Sequence, residues 1–234
     1  MRIPHHIPKS GKHDLRVGFL SELRPRVLKE FDSIKLRCAH SAREVLFMEG
    51  QPARGVYVLR AGDVKLSVSS TEGKTLILDI AKPGRALGLV PALSGTAHEL
   101  TAETLTFCQL AFFPRDGFLR LLAKYPEAYA AVAIQVSSQY QIACDQLRNF
   151  ALSASAPERL AKLLLDFAVE GQDVAEDAQI KFGLTHERIA QFIGTTRETV
   201  TRTLREFSSR RLAHLRGGTL VIEDRQGLKK LATF

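Results

Sequence analysis

The sequence predicts an α+β chain with an N-terminal antiparallel β-roll (a jelly roll), one long helix and a C-terminal winged helix-turn-helix. Three observations carry this. Between about residues 40 and 113, short apolar runs alternate with glycine-bearing turns, the pattern of antiparallel strands. Between Pro126 and Asn149 neither proline nor glycine occurs, so one helix can run without a break. From Leu184 to Leu204 two short helical patterns flank Gly194, the spacing of two helices joined by a tight turn.

Composition sets the bounds. The chain has 234 residues, of which 45% are hydrophobic and 25% charged, which is globular and excludes intrinsic disorder. That length buries one sizeable core or two modest ones. No run approaches the roughly 20 apolar residues of a membrane span. The start, MRIPHHIPKSGKHDLRVGF, lacks the apolar stretch of a signal peptide, so a cytoplasmic location and no membrane partner are expected. Cys38, Cys108 and Cys144 lie too far apart for a disulfide framework or a CxxC-type zinc site. No metal site and no catalytic constellation are predicted.

Taken in order, residues 1–20 are polar and carry His5, His6 and His13, read as a solvated arm. Residues 21–125 form the roll. Its strands are read at Val45–Phe47, Val56–Leu59, Val64–Val68 and Thr75–Leu78, separated by Glu49-Gly50, Ala61-Gly62-Asp63, Thr71-Glu72-Gly73 and Pro83-Gly84. Val64, Leu66 and Val68 alternate and are expected on one face. The pattern resumes from Thr101 to Phe113 and ends at Pro114, and Phe118, Leu121 and Leu122 mark a short amphipathic helix. Residues 126–152 form the long helix, in which Val132, Val136, Tyr140, Ala143 and Leu147 step by three or four, the spacing of a dimer seam. Residues 153–234 hold the helix-turn-helix, entered through the hinge Ser153-Ala154-Ser155-Ala156-Pro157. That hinge supplies a serine cap and an early proline to a helix expected to stop at Gly171.

Function is concentrated between residues 184 and 222. Thr185 is placed to cap a short helix whose inner face is Ile189, Ala190 and Ile193, and Gly194 gives the turn its backbone freedom. Thr195 or Thr196 starts a second helix. Val200, Leu204 and Phe207 turn inward there, leaving Arg197, Glu198, Thr201, Arg202 and Arg205 to solvent. From Thr196 to Arg216 six arginines stand against Glu198 and Glu206, a local excess suited to a polyanion. Such a helix fits the major groove of duplex DNA, where Arg bonds guanine O6 and N7 and Glu accepts from cytosine N4. Leu215 to Ile222 reads as a hairpin with a Gly-Gly tip, a wing whose Arg216 reaches phosphate. Thr185 and Thr196 are expected on phosphates as well.

Arg197-Glu198-Thr199-Val200-Thr201-Arg202 resembles the recognition-helix signature of the bacterial cyclic-AMP receptor protein and FNR superfamily of transcription regulators. Gly50 and the run Gly55 to Val64 resemble that family's cyclic-nucleotide-binding roll, and the 126–149 helix its dimer helix. The resemblance implies a homodimer on a two-fold operator, with RNA polymerase as a further partner. Arg197, Glu198 and Arg202 match the trio that reads TGTGA-like half-sites in the cyclic-AMP receptor branch.

The ligand cassette departs from the family. Between Pro83 and Thr101, Leu89 follows Gly88 where the family's ribose-binding Glu is expected, and His98-Glu99 stands where an Arg-Ser pair holds the cyclic phosphate. Cys144 and Asp145 stand where purine-contacting hydroxyls are expected. A carboxylate facing a phosphate repels it, so cyclic AMP is not the expected effector. The FNR-type cluster needs four thiolates, and only three cysteines exist. Haem remains a candidate through His98, and the effector is left unidentified. A barrel enzyme would need several converging histidines, and the strands offer only His40 and His98. A nucleotide-binding module acting through protein contacts leaves residues 184–222 unexplained.

Overall fold

The computed structural model describes residues 18–152, 155–170, 179–181, 184–216 and 218–232. His5, His6 and His13, the first two hinge residues, the expected stop at Gly171 and the first glycine of the wing tip lie outside the described residues.

A 3-10 turn at Gly18–Glu22 leads into α1 (Pro25–Ile34). The roll follows: β1 (Leu36–His40), β2 (Val45–Phe47), β3 (Gly55–Ala61), β4 (Val64–Ser69), β5 (Thr75–Ala81), β6 (Ala86–Leu87), α2 (Leu89–Ser94), β7 (Thr101–Thr104) and β8 (Cys108–Pro114). These make two four-stranded antiparallel sheets, β1-β8-β3-β6 and β2-β7-β4-β5. Phe47, Leu59, Val64, Leu66, Leu87 and Leu110 fill the space between them.

α3 (Arg115–Lys124) and α4 (Pro126–Leu152) then pack against the roll. Phe31 is the hub of this junction, meeting Phe19, Phe113 and Phe118 edge-to-face at centroid distances of 6.2, 5.8 and 6.0 Å. That geometry sets the positive ring edge against the negative face, which adds to the gain from burial. The first turns of α4 insert Ala128, Ala131 and Val132 into the same core.

Three expectations change here. The run from Thr101 to Phe113 is two strands, because Thr104 ends β7: its buried hydroxyl donates to Ser41 C=O at 2.6 Å and accepts from Glu44 N–H at 2.9 Å. β1 begins at Leu36, before residue 40, where the strand pattern of the roll was read to begin. As an edge strand with Leu36 at 55% exposure, it lacks the alternation that would announce it. Val68 is only half-buried and Ser67 is buried instead. The β4–β5 register shifts between Leu66 and Ser67, opposite one extra residue, Leu78, in β5.

The C-terminal domain comprises α5 (Ala156–Glu170), β9 (Gln179–Lys181), α6 (His186–Ile193), α7 (Arg197–Ser209), β10 (Ala213–Arg216), β11 (Thr219–Ile222) and α8 (Arg225–Ala232). Ser155 caps α5 by accepting from Glu158 N–H at 3.4 Å, and its hydroxyl meets the Glu158 carboxylate at 2.8 Å. β10 and β11 form the expected hairpin, with β9 added to its edge. Leu160, Leu164, Ile189, Ile193, Val200 and Phe207 belong to one core, and Ile77 of β5 joins it from the roll.

Candidate nucleic-acid interface and effector cavity

Local signals build the helix-turn-helix. Thr185 accepts from Arg188 N–H at 3.3 Å to cap α6, and Thr196, rather than Thr195, accepts from Thr199 N–H at 3.2 Å to cap α7. Each satisfies a donor that the first helical turn leaves without an intrahelical partner. Between them Gly194 stands at φ 60°, and its N–H bonds Ala190 C=O. Arg159 Nε donates to Ile193 C=O at 2.7 Å, tying α5 to the end of α6. Replacing Gly194 by valine forces a β-branched side chain into the left-handed region at a cost of about 1–2 kcal/mol. The expected result, read by urea denaturation, is a lower midpoint with an unchanged slope.

α7 buries Val200, Thr203, Leu204 and Phe207. Its opposite face presents Arg197, Glu198, Arg202 and Arg205 around a shallow open surface, with Thr201 at its edge. A backbone N–H and the Thr196 hydroxyl hold the Glu198 carboxyl below its ordinary range, so it faces solvent as an ionised acceptor. Thr201 is already engaged: its hydroxyl donates to Arg197 C=O at 3.0 Å and lies 2.9 Å from His186 Nδ1. The sequence reading missed His186, whose Nδ1 meets the Thr201 hydroxyl and ties the start of α6 to α7. Arg210 turns back on Glu206 at 3.3 Å, so part of the arginine excess is neutralised off this face. Arg216 is exposed at the end of β10, beside the wing tip.

A second feature lies between the roll and α4. A cavity of about 520 Å³ is walled by Leu66, Leu76, Leu78, Leu87 and Leu100 from the roll and by Ile142, Ala143 and Leu147 from α4. Gly88, Leu89, His98 and Glu99 all line it, as the sequence reading placed them. His98 is buried, with its ring stacked on Phe47 at 3.8 Å. Burial holds that imidazole below its usual range, so it is neutral at pH 7. A Cβ at Gly88 would stand 3.0 Å from the His98 ring.

Cys144 and Asp145 do not line the cavity within one chain. On a helix, Ile142, Ala143, Gln146 and Leu147 share the face toward the roll, and the intervening pair turns away; Asp145 meets Arg148 at 3.2 Å. The reading missed Asp79, Gln139 and Gln146, which do line it. Arg85 lines it too, with Nη2 at 3.3 Å from Asp79 Oδ2 and both side chains largely buried. Burial pushes the Asp79 carboxyl up and the Arg85 guanidinium down, each against the attraction of the other.

The proposed seam also divides. Val132 is 2% exposed inside its own chain's core, which removes it from any surface seam, and Val136 is packed against that core. Tyr129 (58% exposed) and Tyr140 (70%) share one outward face of α4, and Leu147 (70%) stands at the border between that face and the cavity.

Two family models match: a cyclic nucleotide-binding domain over residues 38–125 and a Crp-like helix-turn-helix domain over residues 158–231. The HTH-type transcriptional regulator Cmr of Mycobacterium tuberculosis is 30% identical over 188 residues, 80% of this chain and 72% of that protein. The chain belongs to the CRP/FNR family of transcription regulators.

The CRP-like cAMP-activated global transcriptional regulator of Mycobacterium tuberculosis is 27% identical over 222 residues, 93% of this chain and 97% of that protein. Among solved structures, the c-di-GMP responsive global regulator CLP of Xanthomonas campestris superposes with a TM-score of 0.75 at 21% identity, covering 85% of this chain and 99% of that one. As a CRP-like regulator, the chain carries a helix-turn-helix DNA-binding domain and a cyclic nucleotide-binding domain. Among the described residues no helix is long and apolar enough to cross a membrane.

Proposed function

We propose that this regulator binds double-stranded DNA as a homodimer on a two-fold operator with TGTGA-like half-sites and acts with RNA polymerase as partner. The observation that carries this is the outward face of α7, where Arg197, Glu198 and Arg202 stand free of the subunit's own core. Arg197 and Arg202 suit guanine edges and Glu198 suits cytosine N4. Thr185, Thr196 and Arg216 set register on phosphates. The outward face of α4, with Tyr129 and Tyr140 and with Leu147 and Ala143 at its border with the cavity, supports the dimer, because large apolar side chains at the exposure of Tyr129, Tyr140 and Leu147 favour a covered surface.

The effector enters the cavity between roll and α4. β5 connects it to DNA, because Leu76 and Leu78 wall the cavity while Ile77 lies in the core of the DNA-binding domain. A haem's two anionic propionates would find no uncompensated guanidinium among the described lining residues, because Arg85 pairs with Asp79. Its family acts by binding DNA rather than by catalysis, and the same mode of action is proposed for this chain.

Selection from random duplex DNA tests the reading. The expected product is a palindrome whose half-sites contain GTGA with centres about 34 Å apart. Selected sites without a G·C pair at the first G of GTGA would overturn the half-site, and unpaired half-sites would overturn the dimer.

A further inference from the structure

The chemistry of the cavity narrows what can occupy it. Its walls are almost wholly carbon, and its charged lining consists of Asp79, Arg85 and Glu99. Asp79 and Arg85 neutralise each other at 3.3 Å. Glu99 is exposed at the rim, with no cation left among the described lining residues to balance it. His98 is neutral, and the Gln139 amide donates to Ala86 C=O at 2.9 Å. An anion entering here would lose its hydration, gain no uncompensated positive charge among the described lining residues and meet Glu99 on the way. An apolar molecule loses nothing comparable and gains in proportion to the surface it buries.

We propose that the cavity takes a predominantly apolar, uncharged effector and rejects anions, the cyclic phosphate of a nucleotide included. This rests on reading the cavity as the effector site. Ligand selectivity is set by the Asp79–Arg85 pair: with its carboxylate in place the guanidinium's charge is balanced, though its buried Nε has no hydrogen-bond partner among the described residues, and without it the same wall would attract an anion.

The test uses the full-length protein and N-phenyl-1-naphthylamine, an uncharged dye that brightens in apolar surroundings. The expected result is saturable binding, displaced by straight-chain alcohols roughly fourfold more tightly per added methylene. Decanoate should compete at least about tenfold more weakly than decanol, because its charge must be desolvated. Millimolar cyclic AMP should leave the dye in place. Asp79→Asn should reverse the order, so that decanoate overtakes decanol. Val90→Phe, which fills the cavity from α2 where Val90 lines it, should abolish dye binding while the melting temperature and secondary structure persist. It serves as the check if Asp79→Asn does not fold.

Displacement by cyclic AMP, decanoate competing as well as decanol, or dye binding that survives Val90→Phe would each overturn the proposal. Operator affinity measured with and without decanol is a separate readout. A ligand that binds as described without changing that affinity would sink the effector role and leave the cavity's selectivity standing.

Discussion

Arg197→Ala is expected to weaken binding to the selected operator by about 1–3 kcal/mol, roughly five- to 150-fold, while binding to unrelated duplex changes little. The argument begins with placement. Arg197 is the first residue of α7, immediately after the Thr196 cap, and is exposed, so it projects from the helix end that enters the groove first. A guanidinium there presents a planar pair of donors that matches guanine O6 and N7. Its removal leaves those acceptors unpaired in a desolvated groove, which is costlier than losing one screened charge. A phosphate contact behaves differently. Arg216→Ala, on the wing, should lower affinity for every sequence alike and reduce the salt slope by about one unit. Titrations of cognate and scrambled duplexes at several salt concentrations separate the two. A uniform loss for Arg197→Ala would show that it only neutralises phosphate, and the half-site assignment would go with it.

The helix-turn-helix was readable because its determinants are local. The Thr185 and Thr196 caps, the glycine at 194 and the inward set Val200, Leu204 and Phe207 act within a few residues of one another, and all take the expected places. The cavity was only half legible for the opposite reason. Gly88, Leu89, His98 and Glu99 lie in one stretch of sequence, whereas Asp79, Gln139 and Gln146 reach the site through the packing of β5 and α4 across some sixty positions. No periodicity announces such a meeting. Cys144 and Asp145 do not line the cavity of their own chain, because counting along a helix gives height but not facing, and 100° of rotation per residue decides which side a position serves. Val132 shows the same limit. Its spacing fits a seam, yet the first turns of α4 lie on the roll, and Val132 is used there. A helix with apolar residues on more than one side cannot reveal from sequence which side meets its own chain.

The strand between cavity and DNA-binding domain provides the sharpest test of coupling. Leu76 and Leu78 face the cavity, while Ile77 is 1% exposed among Leu160, Leu164 and Ile189. The extra residue at Leu78 shifts the register; beyond it Asp79 also lines the cavity and Ile80 packs toward the DNA-binding domain. One strand therefore touches both sites, and a ligand pressing on Leu76 and Leu78 must move Ile77. Ile77→Asp places a carboxylate with no cation into that apolar core, at a cost of several kcal/mol. The roll and the DNA-binding domain each retain a core of their own, so release of the contact costs less than unfolding either. The expected result is a larger radius of gyration by small-angle X-ray scattering, with secondary structure retained and operator affinity no longer responsive to effector. Ile77→Ala should give the same direction more weakly, within the roughly 2–5 kcal/mol range of such truncations. Unchanged dimensions and an intact effector response in Ile77→Asp would show that the signal travels from cavity to DNA by another route, with α4 the remaining element that spans both.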